Sequence, residues 1–144
     1  MVRITKEFKF EMAHALHGYD GLCKNIHGHS YKLFVTVKGE IQNDKGNAKD
    51  GMVLDFDILK NIVKSEIINK YDHSLVLNAN SPHSEIDLSA FEKVFFLPYQ
   101  PTSENLVTDF ALKIKSKLPQ EIELYKVVLS ETATSFAEWN SQDN

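Results

Sequence analysis

Hydrophobic positions along the chain change period twice, and the changes divide it into elements. Over residues 5–14 the alternation is loose: Phe8, Phe10, Met12 and His14 share one face of a regular strand, and a bulge would send His14 to the other. Residues 15–26 carry Gly18, Asp20, Gly21 and Asn25, the composition of a loop, and hold Cys23. A second strand over 27–41 puts Tyr31, Leu33, Val35 and Val37 on one face, with Lys32, Thr36 and Lys38 mainly on the other. The turn-rich stretch 39–51 leads into a short strand at 52–54, which predicts a long hairpin. From Asp55 onward Phe56, Leu59, Ile62, Val63 and Ile67 recur at helical spacing. They predict an amphipathic helix of roughly fifteen residues, capped by Asp55 and ending near 71–73.

Residues 74–101 are the least patterned, with a polar loop over 78–84 and a weak strand over 91–97. Pro101-Thr102-Ser103-Glu104-Asn105 is a helix start, with hydroxyl caps and an acidic first turn. Leu106, Phe110, Ile114 and Leu118 form the stripe of that second helix, which Pro119 stops. A strand over 123–131 places Glu131 on the face of Tyr125, Val127 and Leu129, and 136–139 adds a short strand. The order is that of an α+β fold, helices segregated against an antiparallel sheet. Apolar residues on both faces of some strands point to a sheet that continues into neighbouring subunits.

Length and charge narrow the picture modestly. The 144 residues make one domain, 1–144, long enough to bury a core. No apolar run reaches membrane-spanning length, and the basic N-terminus lacks the apolar region of a signal peptide. A single cysteine makes no internal disulfide, which fits a reducing cytoplasm. A net charge of −4 argues against non-specific nucleic-acid binding but leaves room for a phosphorylated small substrate.

The chemistry gathers near the front. His27 and His29, one residue apart in an extended segment, point the same way, and His14 arrives from the preceding strand. Three imidazoles suit zinc with a fourth position open. Cys23 is open between two roles, a fourth ligand that closes the site or a nucleophile or base beside an open one. In Asp72-His73 the carboxylate either orients the imidazole for proton transfer or serves the helix end. Glu131 lies on the apolar face of its strand, where it either reaches solvent or grips a ligand with an amidine-like edge. His17 and His83 read as solvated loop histidines.

Taken together, Phe10-x-x-Ala13-His14, Cys23-x-x-x-His27-Gly28-His29-Ser30-Tyr31, Gly51-Met52-Val53-Leu54-Asp55-Phe56, Asp72-His73, Pro101-Thr102-Ser103-Glu104-Asn105 and Glu131-Thr132 resemble the 6-pyruvoyltetrahydropterin and 6-carboxytetrahydropterin synthase family. The three-residue gap between Cys23 and His27 resembles the bacterial carboxy branch. The resemblance implies the tunnelling fold (T-fold), an antiparallel sheet with two helices on one face. It further implies sheets joined between subunits into a barrel, active sites between subunits, and a hexamer of two stacked trimers. It implies Zn2+ held by His14, His27 and His29, proton transfer by Cys23, Asp72 and His73, and a pterin gripped by Glu131 with Ser103 and Glu104 nearby. The implied reaction converts 7,8-dihydroneopterin triphosphate to 6-carboxy-5,6,7,8-tetrahydropterin, acetaldehyde and triphosphate, feeding queuosine and related deazaguanines. The alternatives are the pyruvoyl activity, without side-chain cleavage, and a zinc- or pterin-binding module without turnover.

Overall fold

The computed structural model describes residues 1–144. Two long strands form its spine: β1 (Val2–His14) and β2 (His27–Gly39) pair antiparallel without a break, from Val2↔Gly39 to His14↔His27. β5 (Glu123–Ser130) pairs antiparallel with the free edge of β2, and β6 (Phe136–Asn140) continues beyond it. On the other edge, β3 (Ser74–Asn78) lies parallel to β1, and β4 (Val94–Leu97) lies parallel to β3. The sheet order is therefore β4-β3-β1-β2-β5-β6. Its four strands from β1 through β2 and β5 to β6 are antiparallel as expected, but the parallel pairs at the other end make the sheet as a whole mixed.

Both helices pack on one face. The first runs as α1 (Phe56–Val63), widens into a π turn at Lys64–Ile68, and closes as α2 (Asn69–Tyr71). Asp55 caps it by accepting the Asp57 N–H, and Lys49 forms an ion pair with Asp55. The second, α3 (Ser103–Lys115), is capped by Thr102, whose hydroxyl accepts the Asn105 N–H. Phe8, Phe10, Leu33, Val35, Val37, Val127 and Leu129 of the sheet meet Leu59, Val63, Ile67, Leu106, Phe110 and Ile114 of the helices in one buried core. No helix is long and apolar enough to cross a membrane.

Three expectations fail for physical reasons. Residues 52–54 form no strand, because both edges of β2 already carry partners, β1 and β5. The loop instead closes on itself, the Gln42 N–H donating to Met52 O and the Gly51 N–H to Gln42 O, while Val53 and Leu54 turn into the core. Within the unpatterned stretch, Leu75-Val76-Leu77 is a short interior strand whose apolar run carries no period. Tyr125 does not face the core: the pairing of β2 with β5 shifts between Thr36 and Val37, so Leu124 turns inward and Tyr125 outward, under Arg3 at 3.8 Å. The shift lies ahead of Val127, so Glu131 stays in phase with Val127 and Leu129.

Leu124→Ala is therefore expected to lower unfolding stability by about 2–4 kcal/mol. Tyr125→Ala, losing a partly exposed ring and a cation–π contact, is expected to cost about 1 kcal/mol. Denaturant unfolding reads both, and the opposite ranking would mean a strand without the bulge.

Candidate metal centre

The core face of the sheet runs out into the site. Along β2 the inward positions proceed Val37, Val35, Leu33, Tyr31, His29, His27; along β1 they proceed Phe8, Phe10, Met12, His14. β5 contributes Val127 and Leu129, then Glu131 one residue past its end. The Tyr31 ring stacks on Phe10 at 5.1 Å between centroids and meets His29 edge-on at 5.5 Å, flooring the cluster. One ligand atom from each of His14, His27, His29 and Glu131 lies within 4.8 Å of the others. The unbroken register is what keeps His14, 1% exposed, on this face.

Two backbone carbonyls orient the imidazoles. Pro101 O accepts from His14 Nδ1 at 2.7 Å, and Asn25 O accepts from His27 Nδ1 at 2.8 Å. A carbonyl can only accept, so each Nδ1 carries its proton and each neutral ring presents a bare Nε2. Those two Nε2 atoms face each other at 3.1 Å. Two lone pairs do not bond each other; they converge on a place for a cation. His29 Nε2 fits the same reading, for it is buried with no hydrogen-bond partner although Glu131 Oε1 lies 3.0 Å away. Carbonyls behind metal-binding histidines are the outer partners that fix tautomer and ring orientation. The donor set therefore fits a divalent metal, with three imidazole nitrogens and a carboxylate oxygen within reach.

Electrostatics agree. Burial, reinforced by the neighbouring imidazoles and opposed by Glu131, pushes His29 below its ordinary value, toward the neutral ligating form. The adjoining His14 imidazole, first among the causes, holds Glu131 below the usual carboxylate range; burial works against this, while His29 and Ser103 support it. Ser103 Oγ donates to Glu131 Oε2 at 3.0 Å, leaving Oε1 turned toward His14 at 3.2 Å and His29.

Beside the cluster lies a cavity of about 530 Å3 whose walls include His14, Cys23, Ser103, Glu104 and Glu131. Five of the nine candidate residues thus meet around one space. Cys23, in a 3-10 turn at Leu22–Lys24, lies outside the set of converging ligand atoms. Ser103 touches Glu131, and the capping role falls to Thr102. Glu104 stands exposed on the first turn of α3.

Asp72 and His73 are elsewhere. They bond each other, His73 Nδ1 to Asp72 Oδ1 at 3.0 Å. His73 borders a second cavity, of about 770 Å3, together with Glu11, Ala13, Gly28 and Ser30. Those positions alternate with the histidines along β1 and β2, so this cavity opens chiefly on the opposite face of the sheet, with Met12 and His29 also at its border. Within one chain the dyad and Cys23 do not share a cavity. The groups that sequence reasoning missed, Pro101 O and Asn25 O, are backbone atoms that carry no side-chain signal.

The family model described as 6-pyruvoyl tetrahydropterin synthase matches residues 3–142. The chain is 38% identical to the 6-carboxy-5,6,7,8-tetrahydropterin synthase of Haemophilus influenzae over 96% of its own length and 99% of that protein. It is 32% identical to the synthase of the same name from Aquifex aeolicus, over 96% and 98%. Among solved structures, the 6-pyruvoyl tetrahydropterin synthase of Caenorhabditis elegans superposes with a TM-score of 0.69 at 26% identity, over 97% of this chain and 95% of that one.

His14→Ala and His29→Ala are each expected to abolish stoichiometric binding of a divalent metal, and His17→Ala to leave it intact. Elemental analysis after dialysis reads all three, and retained metal in His14→Ala would remove His14 from the ligand set.

Proposed function

The chain belongs to the 6-pyruvoyl tetrahydropterin synthase family, and on that premise we propose that it is a zinc-dependent 6-carboxytetrahydropterin synthase. It converts 7,8-dihydroneopterin triphosphate and one water to 6-carboxy-5,6,7,8-tetrahydropterin, acetaldehyde and triphosphate, in the cytoplasm, on the route to queuosine and related deazaguanines. The observation that carries this reading is the convergence of His14, His27 and His29 nitrogens beside a cavity that also holds Cys23 and Glu131. The full-length likeness to bacterial carboxy synthases selects the reaction among those the scaffold supports.

Each residue has a task its surroundings suit. His14, His27 and His29 would hold the zinc, which when bound would supply a Lewis acid to polarise the side-chain hydroxyls of the substrate. Glu131, held ionised and steadied by Ser103, accepts the exocyclic amino and ring N–H groups of the pterin through two parallel hydrogen bonds. Cys23, as thiolate, takes the proton from the activated carbon. His73 relays that proton, with Asp72 on its Nδ1 to hold the tautomer. Glu104, on the cavity wall, supplies a further acceptor toward the ring.

The separation of Cys23 from Asp72-His73 on opposite faces supports an assembled enzyme. In this reading sheets join into a barrel, six chains form two stacked trimers, and the dyad of one chain completes the cavity of another.

Incubation of the zinc-loaded protein with dihydroneopterin triphosphate should release acetaldehyde and carboxytetrahydropterin, identified by mass; pyruvoyltetrahydropterin would move the chain to the sister activity, and unchanged substrate would leave a binding module. Cys23→Ala is expected to keep its zinc and lose turnover by roughly 100-fold or more; loss of zinc in step with activity would make Cys23 a ligand.

Mixing inactive Cys23→Ala and His73→Ala chains, unfolded and reassembled together, should recover part of the activity, as sites that draw Cys23 and His73 from different parent chains form. No recovery in the mixed oligomers would place each site within one chain.

A further inference from the structure

His73 is held in an uncommon conformation. Its φ of 60° is the one positive value at a non-glycine residue in this chain, and such a backbone persists only where its surroundings over-determine it. From β1, Glu11 engages it twice: the His73 N–H donates to Glu11 O at 2.6 Å, and the Glu11 N–H donates to Asp72 Oδ1 at 2.9 Å. From the opposite side comes Lys93, immediately before β4. Its ammonium donates to Asp72 O at 2.5 Å and to Asn69 O at 3.0 Å, carbonyls in the last turn of the first helix and just beyond it. Those carbonyls lack helical partners, and a cation at a helix C-terminus is favourably placed.

Lys93 is itself fixed by the sheet. The Leu75 N–H donates to Lys93 O at 3.0 Å, and Val94 pairs with Leu75. The side chain is half-buried and borders the cavity that holds His73. We infer that Lys93 is a positioning residue for His73: by joining the carbonyls of Asn69 and Asp72 it fixes the turn that sets the imidazole on the Asp72 carboxylate. Burial pushes the Asp72 carboxyl up, but the Glu11 N–H, His73 and Lys93 together hold it below the usual range, so it stays an acceptor for His73 Nδ1. The stretch before β4, without pattern in the sequence, thereby gains a purpose in the chemistry of a turn twenty residues upstream. The inference rests on the proton-transfer role proposed for His73.

The test compares Lys93→Met, which keeps length and volume without the donors, with Lys93→Arg, which keeps a cation, both in the zinc-loaded assembled enzyme. In Lys93→Met, kcat should fall roughly 10- to 100-fold with KM within about twofold and zinc content unchanged. The 15N spectrum of His73 should lose its single Nδ1–H tautomer. Lys93→Arg should keep that tautomer and a kcat within about threefold of the parent. Should Lys93→Met not fold, Lys93→Leu, also without donors, is read by the same spectrum. An unchanged His73 tautomer in the donor-less variant overturns the inference, whatever happens to kcat. If the parent itself shows no turnover, the proposed reaction fails, and the His73 spectrum still decides the positioning role.

Discussion

In paired antiparallel strands, residues opposite each other share a face, so the unbroken register from Val2↔Gly39 to His14↔His27 commits both faces of the spine at once. A slip of one residue would carry Phe8 and Phe10 out of the core together with His14 out of the site. The burial of two phenylalanines, a methionine and the inward residues of β2 therefore enforces the geometry of the imidazoles. Core and site are two ends of the same columns of side chains, and the hydrophobic effect that selects the register also gathers the ligands.

Burying such a cluster has an electrostatic cost that the fold meets locally. Bare imidazole nitrogens and a carboxylate at the edge of an apolar core are unfavourable unless each is paired or shares a cation. Pro101 O and Asn25 O bind the far nitrogens of two rings, and Ser103 at the start of α3 holds the far oxygen of Glu131. Each support comes from a loop or a helix end rather than from the middle of a strand. What is left unpaired, His29 Nε2 and the facing nitrogens of His14 and His27, marks the place a metal ion would take.

The opposite face follows a different logic. Asp72-His73 occupies a turn rather than a strand, with His73 in left-handed backbone between Glu11 on one side and Lys93 on the other. β4 pairs only through β3, yet its approach delivers the cation that closes that turn. A sheet that is mixed rather than wholly antiparallel is the means: the parallel strands β3 and β4 bring sequence-distant backbone beside the end of the first helix.

Local periodicity was enough to read the two spine strands, both helices with their caps, the last strands, and the inward phase of His27, His29 and Glu131, because each of these depends on side chains a few residues apart; the phase of His14 was settled by the unbroken pairing of β1 with β2. The family resemblance then ordered motifs that were each ambiguous alone, and the match over residues 3–142 agrees with it. Other features depended on contacts that no local window contains. Residues 52–54 lost their strand because β2 had no edge left; Tyr125 turned outward because one residue was added opposite Thr36 and Val37; the strand at Ser74–Asn78 exists because β1 had an edge to fill. The placement of Cys23 and His73 in separate cavities, and the bonds from Lys93 to carbonyls upstream, likewise arise from crossings between distant segments. The sequence by itself determined which residues are candidates for the chemistry and, wherever no bulge intervenes, which face the strand-borne ones occupy, since a period of two is a local property. Only the tertiary structure decided which of them meet, because that depends on edge availability and on backbone carbonyls that every residue possesses alike.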